Sequence, residues 1–200
     1  SSVQYGVLNS LVAITVFFSI FVSPLRPTLT KFLSGYFHSK EFSKIFFVLR
    51  HIFKRLGLLS ILFFGVFTLI NLDLAKFLRI ESAHYLTIVG IIVALSMLAP
   101  AFQSFLQSAQ LFKMLAFVGI VSVAFKLMVG SGLAYAGFGA LGGLLGYLVV
   151  PVLIIFVDMF LIIRYCRRNK IDSSITEPVE ISPIYKYFLP TGVAMFSFTM

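Results

Sequence analysis

Apolar residues in this chain are gathered into long runs separated by short polar segments, a pattern that predicts helices crossing a bilayer. Each run is close to the roughly 20 residues needed to cross the hydrocarbon core. The five complete runs cover about residues 5–24, 56–72, 85–107, 114–131 and 137–163, and a sixth begins near residue 184. We therefore predict an all-α polytopic membrane bundle of about five full spans plus a truncated sixth. We also expect residues 1–200 to be a fragment of a longer protein.

Two features modify the first half of this pattern. Pro24 and Pro27 are predicted to kink or end the first span, because proline removes a backbone donor and clashes with the preceding turn. The helix is then expected to resume toward residue 40. Between residues 41 and 55, apolar residues recur every three or four positions with Lys and Arg between them. That spacing predicts an amphipathic helix lying at the membrane interface and leading into the second span.

The fifth run begins with closely spaced glycines and is longer than a membrane requires. Gly139 and Gly143, and likewise Gly142 and Gly146, are four positions apart. This spacing favours close packing of a second helix over contact with a ligand. At 1.5 Å per residue the run would reach about 40 Å, so it is predicted to tilt or to project beyond the bilayer.

Composition agrees with a membrane protein and narrows the possible sites. The chain is 60% hydrophobic and 12% charged, with a mean hydropathy of +1.03, whereas soluble domains carry about 25% charged residues. Cys166 is the single cysteine, which excludes an intrachain disulfide. The histidines His38, His51 and His84 lack the spacing of metal ligands. No metal or other cofactor is therefore predicted.

The net charge of +9 is unevenly distributed, and its distribution predicts the orientation of the spans. Lys and Arg collect at every second boundary between the apolar runs. Of the 16 basic residues, only Lys76, Arg79 and Lys126 lie away from the boundaries assigned to the inner face. Because basic loops stay in the cytoplasm, we predict a multi-pass inner-membrane protein with residue 1 outside. Charge beside apolar spans argues against nucleic acid as a partner and for contact with membrane lipids.

Polar residues form a stripe along the third span. Ser96, Gln103, Gln107 and Gln110 step by 7, 4 and 3 positions, with Pro100 on the same face. Glutamine amides facing lipid would lack hydrogen-bond partners, which costs a few kcal/mol each. The stripe is therefore expected to face other helices or a wet cavity. It predicts either hydrogen bonds between helices or a cavity wall that meets a polar substrate.

Four charged residues are further candidates for function. Arg26 and Lys31 follow the proline break, where they either anchor the inner interface or attract an anionic group such as a diphosphate. Lys126 and Asp158 are the two charges within spans, where ionisable residues are functional candidates. Their predicted depths differ by about 10 Å, which disfavours a direct ion pair. Lys126 is expected to reach the outer surface or face a cavity, and Asp158 to lie near the inner interface or act in transport.

Four segments together resemble a known family. They are residues 24–34 (PLRPTLTKFLS), 75–80 (AKFLRI), 105–112 (FLQSAQLF) and 123–130 (VAFKLMVG). In this order, with a basic bridge after the first, the chain resembles the polysaccharide (oligosaccharide) flippases of the multidrug/oligosaccharidyl-lipid/polysaccharide exporter superfamily. The similarity covers nearly the whole chain, as the second to sixth family helices and the start of the seventh. Residues 107–109 depart from it, because the family often has glycine there.

The resemblance implies a transporter rather than an enzyme. It implies two six-helix lobes around a central cavity, one functional copy, and a glycan carried on undecaprenyl diphosphate as the substrate. It also implies that polar and basic residues of the first and third spans face the cavity. Lys126 is a further candidate for substrate binding because it lies within a span. The predicted substrate-binding residues are Arg26, Lys31, Gln103, Gln107 and Lys126.

Two other functions remain open at this point. A cation-coupled multidrug antiporter of the same superfamily would need an acid deep in a span, and Asp158 is the candidate. A membrane-embedded glycosyltransferase would need paired carboxylates or a His/Arg site near a large outer loop. The outer loops are short and offer only Asp73, Glu81 and His84.

Overall fold

The structure, a computed structural model, describes residues 2–77, 84–171 and 178–199, and these ranges contain helices and no strand. A π-helical turn, Ala134–Phe138, joins the sixth and seventh helices. The helices are α1 Ser2–Val22, α2 Leu25–His38, α3 Phe42–Phe77, α4 His84–Ser96, α5 Ala99–Ser108, α6 Phe112–Leu133, α7 Gly139–Arg168 and α8 Ser182–Thr199. The all-α prediction is confirmed for the described residues. Residues 78–83, which include Arg79 and Glu81 from the segment after the second predicted span, lie outside these ranges.

Four helical stretches are long and apolar enough to cross a membrane. They are Gly6–His38, Phe42–Ile70, His84–Ser108 and Phe112–Arg168. The outer surface of α3 carries large apolar side chains that are mostly exposed, among them Leu58, Ile61 and Leu69, at 72%, 75% and 81%. A soluble protein rarely exposes so continuous an apolar face. Both observations identify a multi-pass membrane protein.

Prolines break two of these stretches at comparable places. α1 ends at Val22 and α2 begins after Pro24, as predicted. A second break separates α4 from α5, whose first turn contains Pro100. The four-residue polar stripe does not survive this break. Ser96 is the last residue of α4, and Gln110 is exposed beyond the end of α5 with φ of 58°, so Gln103 and Gln107 alone share a face of α5.

The basic amphipathic segment is not a separate interfacial helix, contrary to the sequence-based expectation. α3 runs without interruption for 36 residues from Phe42. Its first turns bury their apolar face, including Ile45, Val48 and Ile52, in a cluster with Leu29 of α2 and Phe105 of α5. The segment therefore continues the axis of the span and packs inside the bundle, because neighbouring helices rather than lipid headgroups cover its apolar face.

The bundle has two apolar clusters, one toward each end. One joins α2, the start of α3, α5 and the end of α7, and includes Leu33, Leu49 and Leu106. We call this the basic end. The segments whose Lys and Arg residues were assigned to the inner face from the sequence all lie there. The other cluster joins α1, α4, the second half of α3 and the start of α7, and includes Leu11 and Leu86. Charge and packing thus divide the bundle in the same way.

α6 and α7 form a closely packed antiparallel hairpin. The turn between them contains Gly137 at φ 98°, a backbone conformation that side chains other than glycine rarely adopt. A Cβ atom at Gly142 would lie 2.6 Å from the Ala134 nitrogen, and one at Gly146 would lie 2.7 Å from the Gly130 Cα atom. These glycines therefore serve helix packing, as their spacing predicted. Gly143 does the same against Leu8 of α1.

Candidate functional site

Polar side chains meet where the two broken helices pack together. Arg26 and Thr30 lie in the first two turns of α2, just after the α1–α2 break. Gln107 and Ser108 lie in the last turn of α5. The Arg26 Nε–H donates to Gln107 Oε1 at 3.0 Å, and Thr30 Oγ1 lies 3.5 Å from the same oxygen. The Ser108 hydroxyl donates to the Thr30 carbonyl at 3.3 Å. These four residues link α2 to α5 through polar contacts inside an otherwise apolar bundle, and we call them the α2–α5 polar cluster.

Asp158 on α7 adds a buried acidic side chain beside this cluster. Its exposed fraction is 0%, and neither carboxylate oxygen has a hydrogen-bond partner among the described residues. Arg26 is the charged group with which it interacts electrostatically. The two do not form an ion pair, since Lys44–Glu41 is the only one within 4.0 Å in the described ranges. Asp158 is thus a buried acid, and the Arg26 guanidinium is the described group whose charge can offset its own.

Arg26 retains unused donors at this position. A guanidinium carries five N–H donors, and only Nε–H is used by a residue that the structure describes. The terminal nitrogens make no hydrogen bond to the rest of the described chain. A planar fork of donors suits the oxygen atoms of a phosphate group. Arg26 is therefore held by one bond to Gln107 and still has the donors that an anionic ligand would use.

Two other predicted site residues lie near the cluster without joining it. Lys31 is about 140° around α2 from Arg26, and its Nζ lies 3.5 Å from the Tyr187 ring centroid on α8. It is exposed and links α2 to α8. Gln103 is half-buried one turn before Gln107 on the same face of α5, and no described residue is its hydrogen-bond partner. Its amide groups stay open to a ligand or to water.

Lys126 lies toward the opposite end of the bundle. Its Nζ is 3.6 Å from the centroid of the Tyr147 ring on α7. Tyr147 and Asp158 are about 16 Å apart along the α7 axis at 1.5 Å per residue. The structure therefore does not bring Lys126 together with Arg26 and Gln107, and it places no direct ion pair between Lys126 and Asp158.

Two members of this site were not predicted from the sequence. Thr30 and Ser108 were not singled out, although Thr30 stands four positions after Arg26 and Ser108 follows Gln107 directly. Asp158 was a candidate from its place within a span, but its complete burial was not predicted. Its exposed fraction of 0% depends on how neighbouring helices pack around α7, which the spacing of residues along the chain does not encode.

Comparison with known proteins adds no relative. No family model matches the chain, and no curated protein or solved structure matches it. The function is therefore argued from the α2–α5 polar cluster and its surroundings.

Proposed function

We propose that this chain belongs to a membrane transporter that moves an undecaprenyl-diphosphate-linked oligosaccharide across the cytoplasmic membrane for surface polysaccharide synthesis. In this proposal α6 and α7 are separate spans, so the chain supplies five spans, and α8 starts a sixth. They form most of the first of two lobes. The basic end faces the cytoplasm, where the lipid-linked glycan is made.

The observation that carries the proposal is the hydrogen bond between Arg26 and Gln107. These residues are 81 positions apart and come from two helices that are both interrupted within the bundle. Interrupted helices are where membrane transporters commonly build their polar substrate sites. The resemblance noted from the sequence names the same two residues as cavity-facing.

The geometry suggests how a diphosphate would be held and released. The free terminal nitrogens of Arg26 would take two phosphate oxygens, and charge-assisted bonds of this kind are stronger than bonds to a neutral amide. Gln107 could then turn toward sugar hydroxyls, as Gln103 could from one turn earlier. Asp158 would compete with the phosphate for Arg26 and so favour release. The prenyl chain would stay in lipid, and alternation would come from rocking of the two lobes.

The test replaces Arg26 in the full-length protein and measures glycan export in cells. Arg26→Ala should lower export about 10- to 100-fold, since a hydrogen bond to a charged group contributes about 1.5–3 kcal/mol. Arg26→Lys should have an intermediate effect, because it keeps the charge and loses the planar fork. Lys113→Ala is the matched control, since Lys113 is an exposed basic residue at the same end.

Membrane levels of each variant must be equal for the comparison to hold. Export that is normal in Arg26→Ala would remove Arg26 from the substrate site. An equal loss in Lys113→Ala would show that only total positive charge matters.

A second function, a cation-coupled multidrug antiporter, is favoured by one observation. Such a transporter needs an acid inside a span, and Asp158 is completely buried without a hydrogen-bond partner in the described part of the chain. Intramembrane acids of this kind take part in ion pathways and proton relays. The two functions assign different roles to Asp158, and a single substitution separates them (see Discussion).

A further inference from the structure

A second possible ligand site lies on the other face of α2 from Arg26. A cavity of about 680 Å³ lies between the α1–α2 break, α3, the α4–α5 break and α8, and its walls are almost entirely apolar. Its volume falls within the range of small-molecule sites, about 300–1,000 Å³. Thr28 lines it, about 200° around α2 from Arg26, and Arg26 does not. The cavity is therefore distinct from the α2–α5 polar cluster.

This apolar cavity continues into a basic pocket toward the basic end. The pocket, of about 530 Å³, shares Arg55 and Tyr185 with the apolar cavity and adds His51 and Lys186. The Arg55 guanidinium carbon lies 5.0 Å from the centroid of the Tyr185 ring. Among the described residues that line either space, none is acidic, and the exposed Glu180 nearby forms no ion pair with a described residue. Positive charge on α3 and α8 thus stands at one end of an apolar space.

Two of the residues that line these spaces also carry a buried polar atom with no hydrogen-bond partner among the described residues. They are Thr28, through Oγ1, and His51, through Nε2. Both atoms are covered by the protein, so the contacts offered to a ligand are those of the cavity walls and of the basic side chains. On the opposite side, the exposed side chain of Leu62 lines the cavity and faces the bilayer, so the space is open to hydrocarbon.

We propose that α3 and α8 bind an anionic phospholipid of the surrounding bilayer. Its phosphate would lie among His51, Arg55 and Lys186, and one acyl chain would fill the apolar cavity. Charge complementarity supports this occupant, because the leaflet that faces basic loops is rich in anionic lipid, and basic pockets between spans hold such headgroups. The lipid would join α8 to α3, where the Arg55 guanidinium lies against the Tyr185 ring. The proposal is independent of the transport function.

The test measures phospholipid binding by the full-length protein in dodecylmaltoside micelles. Native mass spectrometry would count bound lipid, and the melting temperature would report stabilisation, during titration with phosphatidylglycerol or phosphatidylcholine. We expect phosphatidylglycerol alone to bind and to raise the melting temperature. Arg55→Ala with Lys186→Ala should weaken binding about thirtyfold, or about fivefold for each charge. The control is Arg164→Ala with Arg167→Ala, which removes two charges from an open pocket elsewhere at the basic end.

Further arms keep the test decisive. Leu62→Trp should fill the apolar cavity from its exposed side and weaken phosphatidylglycerol binding with no loss of stability in lipid-free micelles. Equal binding of phosphatidylcholine, full competition by inorganic phosphate, or equal losses in the control pair would overturn the proposal. Displacement of phosphatidylglycerol by an equimolar polyprenyl phosphate would overturn it too, because the occupant would then be the substrate carrier.

Discussion

At the scale of single residues, the bundle accommodates charge in two different ways. Lys31 and Lys126 each place an ammonium group against an aromatic ring, which attracts a cation through its negative face. Arg26 instead combines a hydrogen bond to Gln107 with the field of Asp158. The contacts of Lys31 and Lys126 with aromatic rings involve no acidic group. Beside Arg26, in contrast, the Asp158 carboxyl group is buried and has no hydrogen-bond partner among the described residues. That difference makes Arg26 and Asp158 the residues most suited to change partners if the proposed transport function holds.

Arg26→Gln should destabilise the protein through Asp158. The substitution removes the described charge nearest to a fully buried acid that has no hydrogen-bond partner among the described residues. In an Asp158→Asn background, which has no acid to leave uncompensated, the same substitution should cost less by about 0.5–3 kcal/mol. Thermal unfolding of the four proteins in one detergent measures this coupling. Strictly additive losses would show that the two charges do not interact.

The same Asp158→Asn variant separates the two candidate functions. As a flippase, the protein should keep glycan export within about tenfold of the unsubstituted level, because Arg26 would still bind the diphosphate. As an antiporter, it should lose drug efflux driven by a cation gradient, while Arg26→Ala would retain it. Drug efflux with that pattern of loss would replace the proposed function.

The candidate site was only partly predictable from the sequence. The polar spacing after Pro24 and Pro100 singled out Arg26 and Gln107, and the structure joins them. Lys126 carries an equally clear signal, but its position depends on Tyr147 in the neighbouring helix, and no spacing along the chain encodes that contact. Local pattern thus identified residues that need a polar environment, while packing decided which of them share one.

At the scale of helices, the break before α2 and the close packing on α7 were predictable from the sequence. The surroundings of the basic segment, residues 41–55, were not. Pro24 and Pro27 predicted the break before α2, and Pro100 stands at the break before α5. Proline alone does not decide a break, because Pro151 and Pro190 lie inside the continuous helices α7 and α8. Small residues four apart likewise predicted that another helix packs closely on the fifth run, and the structure shows that this helix is α6. The interfacial position of residues 41–55 was wrong because amphipathic periodicity shows only that one face is apolar. Here that face is covered by α2 and α5 rather than by lipid.

Gly146→Ala should weaken the α6–α7 hairpin. The added methyl group would lie 2.7 Å from both the Gly130 Cα atom and the Lys126 carbonyl oxygen, and backbone atoms cannot move away cheaply. Overpacking of this kind costs about 1–3 kcal/mol. The melting temperature should therefore fall relative to the unsubstituted protein.

Gly119→Ala is the matched control for this prediction. Gly119 lies within α6, and a Cβ atom there would meet no heavy atom within 4 Å. Alanine favours helix over glycine by about 1 kcal/mol, so this variant should be as stable as the original or slightly more so. If Gly146→Ala behaved like Gly119→Ala, the close contact between α6 and α7 would be refuted.

At the scale of the whole molecule, charge and packing define the same axis. The apolar cluster that joins α2, α3, α5 and α7 lies where basic residues gather, and the opposite cluster lies near the α6–α7 turn. A bilayer imposes this arrangement because basic segments stay on the cytoplasmic side while apolar helices cross. The α2–α5 polar cluster, the proposed lipid site and the proposed direction of transport all depend on this shared orientation.

Accessibility of single cysteines to a membrane-impermeant maleimide tests that orientation directly. In a Cys166→Ser background, Ser39→Cys and Asn169→Cys mark two exposed positions at the basic end, and Tyr135→Cys marks the opposite turn, where Tyr135 is 97% exposed. The account predicts labelling of Tyr135→Cys in intact cells, and labelling of the other two only after the inner membrane is permeabilised. Labelling of Ser39→Cys and Asn169→Cys from opposite faces of the membrane would contradict it.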